Sequence, residues 1–150
     1  MIKLYKRIDS RLHYWECWKN DDTSSVVHWG KVGEKGLDKN INNEVLEDEI
    51  KLHLRQGYIE FDALEVSALI IEYIIDGKGD TADLEKRQKL EGRLNETLGW
   101  TGLGHCDGGS IGSNTMEVCC MIVDFDIAKN VIEADLTNSA FRDYNRIYLE

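Results

Sequence analysis

Apolar and β-branched residues in the first half of the chain come in short runs separated by polar turns, a pattern typical of antiparallel strands. Four extended segments are predicted on this basis, at residues 2–8, 14–19, 25–32 and 37–41. A helix is expected next, because Asn42 or Asn43 offers an N-cap and Gly57 a natural stop. The apolar positions of this helix have approximately helical spacing: Val45, Leu46, Ile50, Leu52 and Leu54.

The second half has longer apolar runs and two helical patterns. Strands are predicted at residues 66–75, 116–125 and 146–149, and a fourth within residues 103–111. Helices are predicted at residues 81–98 and 127–136, with Asp80 or Thr81 capping the first and Asp126 the second. The leucines of the first helix are expected to face the core: Leu84, Leu90, Leu94 and Leu98.

The order of these second-half elements is β-α-β-β-α-β, which is the connectivity of a ferredoxin-like sandwich. The sequence therefore predicts an α+β protein. Its N-terminal antiparallel β-sheet has one covering helix and is followed by the ferredoxin-like sandwich. The predicted domains are residues 1–62 and residues 63–150.

Acidic residues outnumber basic ones, and the formal net charge of the 150 residues is −10. Residues 1–62 hold ten basic and twelve acidic side chains, whereas residues 63–150 hold eight basic and sixteen acidic ones. Proteins that bind nucleic acid use a basic surface to neutralise phosphate. The charge therefore disfavours nucleic acid as a partner and favours a basic protein.

One segment of the first half carries a recognisable motif. Residues 26–36 read VVHWGKVGEKG, and the preceding segment HYWECW is an aromatic strand. Together they resemble the WGR domain, a small β-rich module named for Trp-Gly-Arg. The resemblance covers residues 1 to about 62 and implies several antiparallel strands followed by a helix.

The WGR resemblance also implies candidate binding residues. In some WGR domains the matching Trp and basic residue touch a nucleic-acid end or a neighbouring domain of the same chain. Trp29 and Lys31, on one side of a strand, are the matching residues here, and Lys35 and Trp18 are added as candidates nearby. Lys31 replaces the Arg of the motif and lacks its planar fork, which weakens the case for phosphate clamping. The alternative is that Trp29 packs in or beside the sheet.

A second candidate site is the glycine-rich segment around residues 102–114. Its candidate residues are His105, Cys106, Asp107, Gly108, Gly109 and Ser110. The segment matches neither a P-loop nor a dinucleotide fingerprint. A twisted hairpin explains its glycines without a ligand, and this is the favoured interpretation. Catalysis by Cys106 would require a base that no motif supplies, so no catalytic residue is assigned.

The cysteines and the hydropathy bear on the compartment. The four cysteines form no C-x-x-C pair, so no metal site and no cofactor are predicted. No signal peptide is evident, and the longest apolar run is too short to cross a bilayer. We expect a cytoplasmic protein with reduced thiols and no membrane association.

Three functions are consistent with these observations, and the sequence favours the first, which is not an enzyme. The first is a non-enzymatic interaction protein, in which a WGR-like module and an acidic domain bind a protein partner of basic character. One form of it is an immunity- or antidote-type protein that neutralises a cationic nuclease. The second is a nucleic-acid-binding accessory protein that uses the WGR-like face. The third is a small enzyme that uses the His-Cys-Asp segment.

Overall fold

The computed structural model describes residues 1–150, which form two compact units, residues 1–65 and residues 66–150. Each unit combines one antiparallel sheet with at least one helix, so the predicted α+β class is confirmed. The two sheets have five and four strands.

The first unit is a five-stranded sheet with one helix, α1, and its strand order is β4-β3-β2-β1-β5. Its elements are β1 (Ile2–Ile8), β2 (Arg11–Lys19), β3 (Ser24–Lys31), β4 (Leu37–Asn42), α1 (Asn43–Arg55) and β5 (Ile59–Glu60), followed by a 3₁₀ turn at Phe61–Ala63. The register aligns Leu4 with Trp15 and Trp15 with Trp29, so their side chains form one row across the sheet.

Helix α1 covers the face of the sheet that carries this row. The buried cluster beneath the helix contains Leu4, Trp15, Cys17 and Val27, and Leu46 and Ile50 of α1 pack against it. The predicted apolar stripe of α1 was wrong in part. Val45, Leu52 and Leu54 are exposed, because the helix turns Leu46 and Ile50, one turn apart, towards the sheet.

The ends of α1 follow the sequence signals. Of the two predicted caps, Asn42 holds the N-cap position, and its side-chain oxygen accepts a hydrogen bond from the Glu44 amide at 2.9 Å. Gln56 is the C-cap residue, and Gly57 follows with a φ of 98°. Glycine adopts this left-handed conformation without strain, so Gly57 is suited to end the helix.

The second unit contains the β-α-β-β-α-β order in full. Its elements are β6 (Ser67–Ile74), α2 (Thr81–Trp100), β7 (Gly104–Gly112), β8 (Thr115–Ile122), α3 (Phe125–Leu136) and β9 (Arg146–Leu149). The antiparallel sheet has the order β7-β8-β6-β9, in which the first and third strands of the unit are central. This is the ferredoxin-like arrangement that the sequence predicted.

The two helices of this unit begin at aspartates. Asp80 and Asp83 form a reciprocal capping box at α2. Asp124, and not the predicted Asp126, caps α3, because the helix already begins at Phe125 and the Asp124 carboxylate accepts from the Ile127 amide at 3.0 Å. Leu90, Leu94 and Leu98 are buried as expected, but Leu84 lies at the outer first turn of α2 and is 38% exposed.

Strand β8 shows how the sheet of the second unit divides into two faces. Met116, Val118, Cys120 and Ile122 are fully buried, whereas the alternating residues Glu117, Cys119 and Met121 are only partly buried. Period-two alternation therefore places the neighbouring thiols of Cys119 and Cys120 on opposite faces.

Candidate functional site

A pocket of about 210 Å³ opens between the sheet of the first unit and helix α1. Sheet, helix and the segment after the helix all contribute to its lining: Trp15, Val27, Trp29, Lys39, Ile41, Glu49, His53 and Tyr58. Pockets for drug-sized ligands usually measure about 300–1,000 Å³. This pocket is smaller, and its size suits a single side chain.

Three strands supply the sheet side of the pocket. Trp15 on β2 and Trp29 on β3 are aligned neighbours and share a face. On β4, Lys39 is aligned with Val27. The ammonium nitrogen of Lys39 lies 5.8 Å from the centroid of the Trp29 ring, within the range of a cation–π interaction. The pocket therefore already holds one cation of the chain itself against an aromatic face.

Helix α1 supplies the opposite side. Glu49 and His53 are one turn apart and belong to the same inward stripe as Leu46 and Ile50. The His53 ring stacks on Trp15, with centroids 4.2 Å apart and an interplanar angle of 21°. Nδ1 of His53 lies 2.7 Å from the Glu49 carbonyl oxygen. Because a carbonyl only accepts, Nδ1 carries the hydrogen in this contact.

Tyr58 closes the pocket after the end of α1. Its ring meets His53 edge-on at 5.2 Å, and the Lys6 ammonium lies 5.9 Å from its centroid. Burial raises the pKa of the Tyr58 hydroxyl. A second lysine thus lies over an aromatic ring at this end of the sheet, and the Lys6 ammonium also donates to the Gln56 carbonyl at 2.5 Å.

The pocket combines several aromatic faces with one carboxylate and one ammonium. The negative faces of Trp and Tyr rings attract cations, and a nearby carboxylate adds to that attraction. These groups are suited to recognising a side chain with a positive end. The lining therefore offers a binding surface with aromatic faces and one charged group of each sign.

Of the residues proposed from the motif, the structure brings only Trp29 into this pocket. Lys31 is exposed at the end of β3, on the same face as Trp29. Trp18 is partly buried on the opposite face, and its ring lies 6.3 Å from that of His28. Lys35 is exposed in the turn between β3 and β4, and its carbonyl contacts His28 Nε2.

The glycine of the Trp-Gly-Lys motif has a packing role. A Cβ on Gly30 would lie 2.9 Å from Gly36 Cα and 3.1 Å from the Tyr14 hydroxyl oxygen. Gly36 has a φ of 65°, and a Cβ there would lie 2.0 Å from the Trp29 carbonyl oxygen. The turn after β3 folds back onto its own strand, and only glycine fits at both points of contact.

The returning turn completes a buried polar network on the face opposite the pocket. Nδ1 of His28 lies 2.8 Å from Glu16 Oε1, and its Nε2 lies 3.2 Å from the Tyr14 hydroxyl. That hydroxyl donates to the Glu34 carbonyl at 2.7 Å. Burial, followed by the charges of Glu16 and Glu34, raises the pKa of Tyr14 well above its usual value.

The second predicted site lies on an edge strand. Residues 105–110 belong to β7, where a bulge between Cys106 and Gly109 shifts the register. His105 and Cys106 alternate between the two faces of the sheet, and Asp107, Gly108, Gly109 and Ser110 are exposed. Gly108 has a φ of 85° at the bulge. The strand brings Cys106 to within 3.6 Å of Cys120, sulfur to sulfur, and not to a histidine.

Comparisons with protein-family models, with curated proteins and with solved structures found no match to this chain. No helix of the chain is both long enough and apolar enough to cross a membrane. No group of three or more His, Cys, Asp and Glu side chains is placed to hold a metal ion.

Sequence reasoning missed most of the pocket. The one available signal was in α1, where Leu46, Glu49, Ile50 and His53 follow the i, i+3, i+4, i+7 spacing of a single face. Polar members of such a stripe are easily discarded when only apolar residues are counted. Lys39 and Tyr58 carried no signal, because their place in the pocket depends on strand register and on the turn after α1.

Proposed function

We propose that this protein is a non-enzymatic binding protein, and that the pocket on its N-terminal unit receives a lysine or arginine side chain of a basic protein partner. The observation that carries this proposal is the position of Lys39. Its ammonium lies 5.8 Å from the Trp29 ring centroid, so a cation of the chain itself occupies the surface that a partner's cation would take.

The lining of the pocket supports a cationic occupant. A positive group that entered would contact the Trp29 face and the rings of His53 and Tyr58, and Glu49 would supply the opposite charge. Aromatic cages bind ammonium groups with about 0.5–2 kcal/mol per ring contact. Lys39 is exposed and lies on an edge strand, so its side chain can turn away when another cation enters.

The charge of the chain supports the same partner. The net charge of −10 attracts basic proteins at a distance and repels nucleic acid. Helix α1 also carries four carboxylates, Glu44, Glu47, Asp48 and Glu49, against the two basic residues Lys51 and Arg55, and Glu49 lines the pocket. A basic partner would therefore be attracted to α1, which forms one side of the pocket.

The proposal includes the WGR resemblance of residues 1–62. A small antiparallel sheet followed by one covering helix supports that resemblance, as does the packing role of the motif glycine. The family's alternative, contact with a nucleic-acid end through Trp29 and Lys31, requires positive groups at the same surface. Removal of a lysine near the pocket should therefore strengthen binding of a basic protein but weaken binding of nucleic acid.

Fluorescence anisotropy with two labelled probes tests the proposal: a hexa-arginine peptide and a short blunt-ended DNA duplex. Binding is measured for wild type, Glu49→Gln, Lys39→Gln, Lys31→Gln and a Trp29→Phe and Trp29→Leu pair. Exposed residues of the other unit supply charge-matched controls, Glu85→Gln and Lys78→Gln. These controls change the net charge equally, and neither residue is part of the pocket lining.

We expect the peptide to bind more weakly to Glu49→Gln and more tightly to Lys39→Gln. The affinity for the peptide should decrease from Trp29 to Trp29→Phe and again to Trp29→Leu, by about tenfold in total. The proposal is overturned if Glu85→Gln weakens peptide binding as much as Glu49→Gln does, or if Trp29→Leu leaves it unchanged. DNA binding that is lost in Lys39→Gln and Lys31→Gln would establish the nucleic-acid function instead.

A further inference from the structure

Two thiols of the second unit lie directly opposite each other on neighbouring strands. Cys106 on β7 is aligned with Cys120 on β8, and their sulfur atoms are 3.6 Å apart. Both cysteines are free. Neither cysteine lines the pocket described above, whose lining residues all belong to the first unit.

The backbone around Cys106 suits a bridge between the strands. The amide of Cys106 donates to the Asn95 side chain of α2 at 2.8 Å, so it points away from β8. Residues that face each other without exchanging backbone hydrogen bonds have the closer Cα spacing in an antiparallel pair, about 4.5 Å. That spacing lies within the range that a disulfide spans, about 4.4–6.8 Å.

The other two cysteines are not placed to compete. Cys119 lies on the opposite face of β8 from Cys120, so neither Cys106 nor Cys120 can reach it without turning the strand. Cys17 is buried in the sheet of the first unit, in the cluster with Leu4, Trp15 and Val27. Among the possible disulfides of the four cysteines, only the Cys106–Cys120 disulfide is therefore compatible with the fold.

The two sulfurs differ in their surroundings. Cys106 is partly exposed on an edge strand, whereas Cys120 is fully buried. The hydrogen bond to Cys106, followed by burial, raises the pKa of the Cys120 thiol well above its usual range. Cys120 thus keeps its proton, and an oxidant from solvent meets Cys106 first.

We propose that Cys106 and Cys120 are a site of reversible oxidation, which a hydroperoxide converts into a cross-strand disulfide. The Cys106 sulfur attacks one oxygen of the peroxide and the O–O bond breaks. Cys106 becomes a sulfenic acid, and its thiol proton joins the displaced oxygen, which leaves as alcohol or water. The Cys120 sulfur then displaces hydroxide from Cys106. The S–S bond forms, and the proton of Cys120 leaves with the hydroxide as water. The peroxide gains the two electrons that the two thiols lose.

Treatment of the folded protein with hydrogen peroxide, followed by alkylation in denaturant and mass spectrometry, tests the site. No Lys or Arg lies between residues 94 and 128, so trypsin leaves all three cysteines of this region on one peptide. Cleavage after Glu117 separates Cys106 from Cys119 and Cys120. The variants are Cys106→Ser, Cys120→Ser and the matched control Cys119→Ser.

We expect the wild-type protein to lose two thiols together and to yield one linked pair of peptides, which a reductant separates. Cys119→Ser should keep the bridge, and Cys106→Ser should lose it. Cys120→Ser should stop at the sulfenic acid of Cys106, which dimedone traps. The proposal is overturned if Cys119→Ser abolishes the bridge, if the bridge forms only in unfolded protein, or if Cys17 reacts before Cys106.

Discussion

The Glu16 carboxylate and the His28 imidazole lie 2.8 Å apart on neighbouring strands of the N-terminal sheet, and both side chains are buried. The register of β2 and β3 pairs the two residues directly. Nε2 of His28 contacts the Tyr14 hydroxyl and the Lys35 carbonyl. The strand pair and the turn after β3 are thus joined through one imidazole.

Removing one partner of this pair should destabilise the first unit strongly. Without the carboxylate, the buried Nδ1 of His28 would lose its hydrogen-bond partner, which costs about 1–3 kcal/mol. We expect Glu16→Leu to lower the free energy of unfolding by about 2–3 kcal/mol. Glu16→Gln should cost about 1 kcal/mol, because its amide oxygen can still accept from the ring. Urea unfolding followed by tryptophan fluorescence measures both values, and equal costs for the two variants would contradict the role given to the contact.

Gly36 should tolerate alanine less well than Gly57. Both residues have positive φ, 65° and 98°, so both pay the left-handed penalty of about 1–2 kcal/mol on substitution. An added Cβ at Gly36 would also lie 2.0 Å from the Trp29 carbonyl oxygen, whereas at Gly57 its nearest neighbour is the end of the Lys6 side chain at 3.7 Å.

We therefore expect Gly36→Ala to cost about 3 kcal/mol, which is the conformational penalty plus that of displacing the turn. Gly57→Ala should cost about 1–2 kcal/mol. Denaturation of the two variants under the same conditions gives the comparison. Equal costs for the two substitutions would show that the turn at Gly36 is not tightly packed on β3.

The architecture of the second unit was predictable because its elements other than the glycine-rich β7 carry local evidence, and β7 was placed from the order of the others. The run of apolar residues in β6, the leucines of α2 and the aspartates before both helices agree with one another, and the strand order follows from the β-α-β-β-α-β sequence. The choice between Asp124 and Asp126 was not predictable, since both can accept from the first turn of a helix. The identity of the cap depends on where α3 begins, and α3 begins at Phe125.

The pocket and the polar network were less predictable, because both depend on pairing between strands. His28 and Glu16 become neighbours only through the register of β2 and β3, and Lys39 reaches Trp29 only through that of β3 and β4. Register is set by turn geometry and by the buried face as a whole. Residue types in one strand therefore do not reveal which charges will meet across the sheet.

The turn between β2 and β3, in which the Asp21 carboxylate accepts hydrogen bonds, should be sensitive to acid. Hydrogen bonds from the Thr23 and Ser24 amides, followed by those from their hydroxyls, lower the pKa of Asp21 to about 2. An unperturbed aspartate has a pKa of about 3.9. Between these values the unfolded chain binds more protons than the folded one, so stability rises with pH.

The contribution of Asp21 should thus be complete above about pH 5 and should be lost as the pH falls through 3.9 towards 2. Urea midpoints between pH 5 and pH 2 should fall less steeply for Asp21→Asn than for wild type. Asp22→Asn serves as the control, since Asp22 makes only a 4.0 Å ion pair with Lys19. If Asp22→Asn flattens the profile as much as Asp21→Asn, the hydrogen bonds to Asp21 are not the cause.

Oxidation of the Cys106–Cys120 pair should stabilise the second unit against heat. A bridge between these strands closes a loop of about fifteen residues, for which loss of chain entropy in the unfolded state gives up to about 3 kcal/mol. For a unit of this size that corresponds to a rise in Tm of about 10 °C or more. The sulfurs are already in contact, so little native-state distortion offsets this gain. Calorimetry of reduced and peroxide-treated protein measures the shift, with treated Cys120→Ser as the control. An unchanged or lower Tm in the bridged protein would mean that closing the bond strains β7 and β8 by as much as it constrains the unfolded chain.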